Sequence, residues 1–492
     1  MALSFESKFY VIICAVTLTF VKADKMQVAT VYWDDAHKTV LLKEGVMEKQ
    51  GDAYGYFNDT LLQTGWGVLE LRAGYGATPR SDEITHYLAG YLEGYLTAQQ
   101  MFSHYSNMYP ELITDQKTLI AVKNFMSKQD SWVRNQVKQQ KSGDPFWRHM
   151  GFVVAQLDGL YAGAAYWAKQ KQKTPLPMFA VQFLNALGDL LDLIPALVHH
   201  KAHHPQNHLK IPMGHCSALI KMLPGYENLL LSHSSWYVYS ATMRIYKYWD
   251  FKMTEPHAAT GKVSFSSYPG FLVSLDDFYL LGSGLLMTQT TNLVFNNSLF
   301  SLITPESLLA WQRVRLAHYL AHDGEEWARV FSKYNSGYWP SYNIPFHPDI
   351  YNLSGYWEMW KEYGEDFSYD LCPRAKIFRR DQGSVTDLAS LKHIMRYNNY
   401  KNDSYSKEDP CKAICCRDDL QLEHPTTMGC YDTKVTDFHM AQMFKAEVVN
   451  GPTTEGGLPP FTWNKFNSTL HDGLPPTYNF PFVPMRPTLF QP

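Results

Sequence analysis

Charge is scarce in this sequence. Lys, Arg, Asp and Glu together make up 18% of the 492 residues, and the formal net charge is −3. A chain so close to neutral lacks the basic footprint that a nucleic-acid partner requires. Long apolar runs are missing too. Beyond residue 23 no segment is long and apolar enough for a membrane helix. The sequence contains no G-x-S-x-G elbow, no H-E-x-x-H zinc motif and no glycine-rich phosphate loop. That removes the common serine hydrolases, zinc peptidases and nucleotide-binding enzymes. Cysteine is sparse, with 7 in the whole chain, so the position of each one matters.

Aromatic residues are plentiful at 15%, and the composition is otherwise that of a globular protein. At the N-terminus Lys8 precedes an apolar run from Tyr10 to Phe20, and Val21-Lys22-Ala23 follows. This is the pattern of a secretory signal, so residues 1–23 are expected to leave and the mature chain to begin near Asp24. Five N-x-S/T sequons, at Asn58, Asn296, Asn352, Asn402 and Asn467, agree with that route as glycosylation acceptors.

Cys14 lies within the signal. Cys411, Cys415, Cys416 and Cys430 fall within twenty positions of one another. In a secreted chain they are read as two disulfides, with three pairings open and with adjacent Cys415 and Cys416 bonded to different partners; a zinc site is the rival reading, but the spacing lacks a paired C-x₂-C pattern. Cys216 and Cys372 remain. Cys216 stands in Gly214-His215-Cys216-Ser217-Ala218-Leu219-Ile220-Lys221, where a His- and Pro-rich stretch gives way to a strand-like apolar run. A Cys at the first position of a strand suggests an N-terminal nucleophile. Cleavage before it frees an α-amino group that serves the thiol as base. The plain alternative is a small buried hydrophobe.

The hydrophobic period predicts a hairpin over Gln27 to Leu42, turning near Asp34-Asp35, and a strand from Gly65 to Leu71. Ser81 caps a helix carrying Ile84, Tyr87, Leu88, Tyr91, Leu92 and Tyr95 on one face, and further helices are expected at Trp147 to Lys169 and Pro177 to Val198. After Cys216, strands are expected at Lys262 to Ser267 and Phe278 to Thr291. Thr304-Pro305-Glu306 is read as the start of a helix reaching about Tyr334. Beyond Tyr338 the period is poor, and the Pro-rich stretch from Gly451 is read as extended. With no internal repeat and no clear linker, the expectation is one layered α+β unit.

Two histidine groups are candidates for a site. His199, His200, His203, His204, His208 and His215 crowd one stretch, but Pro205 and the lack of nearby acids favour a solvated run over a zinc site. His233 and Trp236, in Leu231-Ser232-His233-Ser234-Ser235-Trp236, fall where the next strand could bring them beside Cys216.

Several stretches together carry a resemblance. They are Cys216 to Lys221, Met243-Arg244-Ile245-Tyr246-Lys247, Ser264-Phe265-Ser266-Ser267-Tyr268-Pro269-Gly270, Asp276-Asp277-Phe278-Tyr279 and Gln289-Thr290-Thr291-Asn292. Trp339-Pro340-Ser341-Tyr342-Asn343, Arg374 to Gln382 and Gly429 to Lys434 complete them. On these the chain resembles the phospholipase B-like, or lama, family over nearly all of its mature length. The resemblance implies an N-terminal-nucleophile hydrolase with an αββα sandwich. It implies a cut between His215 and Cys216, giving chains 24–215 and 216–492. Cys216 maps to the nucleophile, and His233, Trp236 and Thr291 to its pocket. The family's assigned reaction removes fatty acids from glycerophospholipids, in lysosomes or outside the cell, with no cofactor or metal. The expected partner is a phospholipid or another acylated small molecule. An amidase on lipid amides or peptides is the alternative, and an impaired glycoprotein a further one.

Two departures from the family stand out. The family follows Asn-Ser-Gly with a segment of several dozen residues, much of it sheet, that carries an Asn beside the nucleophile. Here Asn335-Ser336-Gly337 runs straight into Tyr338-Trp339-Pro340. A deletion of sheet residues after Gly337 is therefore expected. Cys372 stands where the family has a small residue.

Overall fold

The computed structural model describes residues 26–198, 216–291, 293–335 and 348–489. The signal segment, the histidine run with His215, and the Gly337–Tyr338 junction lie outside the described residues.

The N-terminal region builds most of one sheet. The hairpin expected near residue 34 is present as β1 (Gln27–Asp34) and β2 (Thr39–Glu44), followed by β3 (Ala53–Asn58), the short helix α1 (Leu61–Thr64) and β4 (Gly67–Ala73). The Ser81 hydroxyl caps α2 (Asp82–Leu112), accepting from the Ile84 N–H. Then come α3 (Gln116–Gln140), which the period reading missed, and α4 (Pro145–Gln170). Helices α2 and α4 touch backbone to backbone. A Cβ on Gly90 would stand 2.0 Å from the Gln156 carbonyl oxygen, and one on Gly163 would stand 1.9 Å from that of Tyr91. Only glycine permits this approach.

The expected helix at Pro177 to Val198 is two helices, α5 (Met178–Asn185) and α6 (Leu187–Val198), bent by 96°. Asn185 at the bend explains the break. Its side chain bonds the carbonyls of Val181 and Gly270 and the N–H of Leu272, tying the corner to a distant loop.

From Cys216 the chain forms β5 (Ser217–Met222), β6 (Leu229–Ser234), β7 (Trp236–Val238), β8 (Ile245–Phe251) and β9 (Lys262–Ser267). The single strand expected over Phe278 to Thr291 is a hairpin, β10 (Phe278–Leu281) and β11 (Leu286–Thr288), because Gly282 and Gly284 turn the chain. The helix expected from Thr304 also differs. Helix α7 (Ala310–Leu320) starts six residues later, where the Asp189 carboxylate of α6 accepts the Ala310 N–H. The chain ahead of it is held extended, with the Leu308 N–H on the Tyr334 carbonyl. Asp323 then caps a separate helix, α8 (Gly324–Phe331).

The C-terminal region holds more helix than its poor period implied: α9 (Pro348–Leu353), α10 (Tyr356–Tyr363), α11 (Pro373–Asp381) and α12 (Leu388–Arg396). Strands β12 (Met428–Cys430) and β13 (Asp432–Asp437), α13 (Phe438–Gln442) and β14 (Ala446–Asn450) follow. Beyond them the chain is mostly extended, with the pair β15 (Phe461–Thr462) and β16 (Thr477–Tyr478), and β17 (Val483–Met485).

Two sheets dominate. One has eight strands in the order β11-β10-β9-β8-β4-β3-β1-β2, and the other has five in the order β17-β14-β13-β6-β5. Tyr246, Tyr248, Phe278 and Leu280 of the first pack against Leu231, Val448 and Met485 of the second. The far face of the larger sheet carries Leu69, Leu71, Trp249 and Phe265 into the core of α2 and α4. The far face of the smaller one carries Leu230 and Val435 against Leu391 and Ile394 of α12. The expected α+β layering is present, and the two sheets meet face to face with helices outside.

Candidate active site

Cys216 lies immediately before β5, buried, at the end of the smaller sheet. In the β5–β6 ladder Ser217 faces Ser234 and Ala218 faces His233. Side chains alternate along strands, so Cys216, Ala218, His233 and Ser235 share the face turned toward the larger sheet. Lys434 continues that face, since it sits opposite His233 in the β6–β13 ladder.

Behind Cys216, between the sheets, lies a buried charge cluster. Arg244 on the approach to β8 reaches Asp276 at 2.8 Å and Asp432 at 3.1 Å. The Lys434 ammonium reaches Asp276 at 2.6 Å, Asp432 at 2.8 Å and the Ser235 hydroxyl at 2.6 Å. Two cations thus meet two anions, which is the condition for keeping such charges out of water. Burial alone would push the Asp276 carboxyl up, but Arg244 and Lys434 hold it well below the usual carboxylate range. Backbone strain marks the same loop. Leu275 and Asp277, on either side of Asp276, have φ of 66° and 49°, a left-handed region that costs a non-glycine residue about 1–3 kcal/mol. Such strain persists where the surrounding contacts fix a functional geometry.

Cys216, Ser235, Trp236, Thr291, Gln289 and Asp277 line a cavity of about 100 Å³. Leu187, Leu191, Leu275, Leu293 and Val314 line it too, as do Asp189 and Asp192 of α6. Burial pushes the Cys216 thiol up to about 12, although the Trp236 backbone N–H and Lys434 favour the thiolate. The thiol is therefore protonated at any physiological pH.

The structure brings Cys216, Trp236 and Thr291 together on the cavity wall. His233 shares their face, two positions along the pairing from Cys216, but lies behind the wall, fully buried. Burial drives its imidazole down to about 3, so it is neutral. Arg374 went unnoticed as a functional residue in the sequence. It opens α11, donates to the Cys216 carbonyl at 2.8 Å and to the Ser217 hydroxyl at 3.3 Å, and lies over the Trp236 ring at 4.8 Å. A guanidinium holding the Cys216 carbonyl has no spacing signature, and only the stretch from Arg374 to Gln382 marked it.

Trp236 also packs against the cysteine cluster. The structure pairs Cys411 with Cys416 and Cys415 with Cys430, so the adjacent cysteines do take different partners. Mass spectrometry of non-reduced peptides is expected to find no free thiol among the four, and a free thiol or a bound metal there would contradict the pairing. Among the described residues no group of side chains has the makings of a metal site. Of the sequons, Asn352, Asn402 and Asn467 are exposed, while Asn58 and Asn296 are half-buried.

The pocket carboxyls give a pH prediction. Burial, with Asp276 beside it, raises Asp277 to about 8, and burial raises Asp189 to about 6. Both start near ~3.9 in the unfolded chain, so the folded protein holds more protons in those windows and stability falls as pH rises through them. The buried His86, His104 and His233 act oppositely. Burial lowers each to about 3, so stability falls as pH drops below their unfolded value of ~6.5. Between pH ~8 and ~6.5 only the Asp277 slope remains among these groups, at most about 2 kcal/mol. The melting temperature is expected to rise as pH is lowered over that range, and Asp277→Asn to flatten the rise. A melting temperature that falls over that range in the parent protein would contradict the assignment.

Comparison with known proteins places these features in a family. The family model described as Phospholipase B matches residues 53–337 and 336–485. The two matched pieces meet at the junction where the deletion was expected. The chain is 52% identical over 508 aligned residues to Phospholipase B-like 1 of Rattus norvegicus, covering 94% of this chain and 92% of that protein. It is 51% identical over 508 residues to Phospholipase B-like 1 of Homo sapiens, with the same coverage. To Phospholipase B of Crotalus adamanteus it is 52% identical over 517 residues, covering 94% of this chain and 93% of the other.

Proposed function

The chain belongs to the phospholipase B family, a group of phospholipase-type hydrolases, and from that premise we propose that it is an acyl hydrolase of the N-terminal-nucleophile type acting on glycerophospholipids. The observation that carries this reading is the place of Cys216: first before an inner-facing strand, on a cavity wall, with a backbone N–H at its sulfur and its carbonyl held by Arg374. The two facing sheets with helices outside them support this reading.

In the uncut chain the thiol is protonated and has no free amine beside it. Self-cleavage removes that block. The Cys216 sulfur adds to the His215 carbonyl carbon, the His215–Cys216 amide opens to a thioester, and water hydrolyses it to a His215 carboxylate and a free Cys216 α-amine. That amine, with an ordinary pKa near ~8, then accepts the thiol proton as sulfur attacks the substrate's ester carbonyl. Collapse expels the glycerol oxygen, which takes the proton. Water then hydrolyses the acyl-thioester, releasing the fatty acid and restoring the thiol.

On this reading chains 24–215 and 216–492 stay associated after the cut. Both contribute strands to the larger sheet, β1–β4 from the first and β8–β11 from the second. The secretory signal and the exposed sequons support a lysosomal or extracellular location. The test is N-terminal sequencing of the purified fragments together with fatty-acid release from phospholipid vesicles. A fragment beginning at Cys216 and release of fatty acid support the reading, and an uncut, folded and active chain would refute it. An amidase would use the same residues, and parallel assays on N-acyl amides separate the two.

A further inference from the structure

Beside Cys216 the cavity carries a polar atom that the proposed chemistry does not use. Gln289 follows β11, is 7% exposed and lines the cavity with Cys216, Ser235 and Thr291. Its oxygen, Oε1, is buried with no hydrogen-bond partner. An orphaned acceptor of this kind costs about 1–3 kcal/mol and in native proteins calls for an explanation. The cavity's layout supplies one. Leu187, Leu191, Leu275, Leu293 and Val314 offer apolar contacts to a hydrocarbon chain, and the thiol, Gln289 and Thr291 line the same cavity. An acyl group held on those side chains with its carbonyl at Cys216 has its alcohol or amine portion in the cavity that Gln289 lines.

We propose that the Gln289 amide oxygen is the specificity element of this cavity, accepting a hydrogen bond from an O–H or N–H that the substrate carries beside its scissile acyl bond. The proposal rests on the acyl-hydrolase reading of the Cys216 site and narrows its substrate class. A fully esterified glycerophospholipid offers no donor at that point and leaves the oxygen bare. A lysophospholipid offers the free glycerol hydroxyl, and an N-acyl lipid offers its amide N–H. A site built around a buried polar group rejects the analogue that cannot pair with it far more strongly than an apolar pocket rejects a missing methylene. On phospholipids the second deacylation is accordingly the faster one, and lysophospholipid does not accumulate.

The test is equilibrium binding to the purified protein, using ligand pairs that differ only in the donor. The first pair is a 1-O-alkyl-2-hydroxy-glycerophosphocholine and its 2-deoxy counterpart, whose ether link cannot be hydrolysed. The second is an N-acyl ethanolamine and its N-methyl form, measured before turnover. The protein is expected to bind the donor-bearing member of at least one pair about tenfold to a hundredfold more tightly, matching one buried hydrogen bond. Preference in the first pair identifies the hydroxyl as the source, and preference in the second the amide. In Gln289→Met the ratio is expected to fall to about one, and Gln289→Glu, which keeps an acceptor, is expected to retain it. Equal binding within both pairs in the parent protein overturns the proposal whether or not the variants fold, as does a preference that survives in Gln289→Met. Fatty-acid release is measured separately, so a protein that discriminates without hydrolysing would sink the acyl-hydrolase reading alone.

Discussion

Cys216→Ala is expected to leave a single uncut chain that releases no fatty acid. The sulfur is proposed to serve both as the attacking atom in self-cleavage and as the nucleophile in turnover, so one substitution removes two activities together. No other thiol can replace it. Among the described residues Cys372 is the other free cysteine, and it precedes α11 outside the cavity lining, while the remaining four are bonded in pairs. The substitution removes one buried sulfur, and Ala fits the same backbone, so the fold is expected to persist with a melting temperature close to that of the uncut parent. Gel electrophoresis, the melting curve and acyl release decide the matter. Cleavage that persists in Cys216→Ala would show that another group cuts the chain. Cleavage lost with acyl release retained would separate processing from catalysis and move the nucleophile elsewhere.

The parts of this molecule legible in its sequence are those where one local rule dominates. The β1–β2 hairpin, the Ser81 cap of α2 and the strand beginning at Cys216 all follow from period and capping chemistry, and the structure contains them. The misplaced start of α7 has a different origin. Thr304-Pro305-Glu306 is a sound helix opening in isolation, but the cap that operates is Asp189, more than a hundred residues away in sequence. The corner between α5 and α6 depends on Asn185 reaching Gly270 and Leu272, which no local window contains. The contact of α2 with α4 did leave a trace: Gly90 and Gly94 repeat at four-residue spacing, as do Gly159 and Gly163. At the site the sequence singled out Cys216 because a strand-initial Cys after a histidine-rich stretch is unusual. Arg374 acts through the backbone of Cys216, and Gln289 matters through an unpaired oxygen, so neither has a signature apart from the fold.

Restoring the segment that relatives carry at the Gly337–Tyr338 junction is expected to raise both the yield of folded protein and phospholipid hydrolysis, the latter by at least about a hundredfold, the scale of one oxyanion donor. The alignment to the rat protein runs 508 positions, more than the 492 residues of this whole chain, so the relative has residues with no counterpart here. The strand that begins after Cys216, β5, ends the order of its sheet and pairs among the described residues with β6 alone. Ile220 is 59% exposed and Met222 48% exposed, and both lie on the face shared with Cys216, where a sandwich buries its apolar side chains. An open edge with bare apolar residues is a site for aggregation. A returning strand would pair with β5, cover Ile220 and Met222, and bring the family's Asn to the thiol. The structural loss is expected to outweigh the chemical one, because an uncovered edge weakens the strand that carries the nucleophile in every state, whereas a missing donor raises only the transition state. Both versions should therefore be expressed side by side, with secretion, melting temperature and fatty-acid release measured on each. Equal secretion with slow hydrolysis in the short chain would assign the effect to the Asn alone. Equal secretion and equal hydrolysis would show that another group already stabilises the oxyanion, and Arg374, with its guanidinium on the Cys216 carbonyl, would be the first residue to substitute.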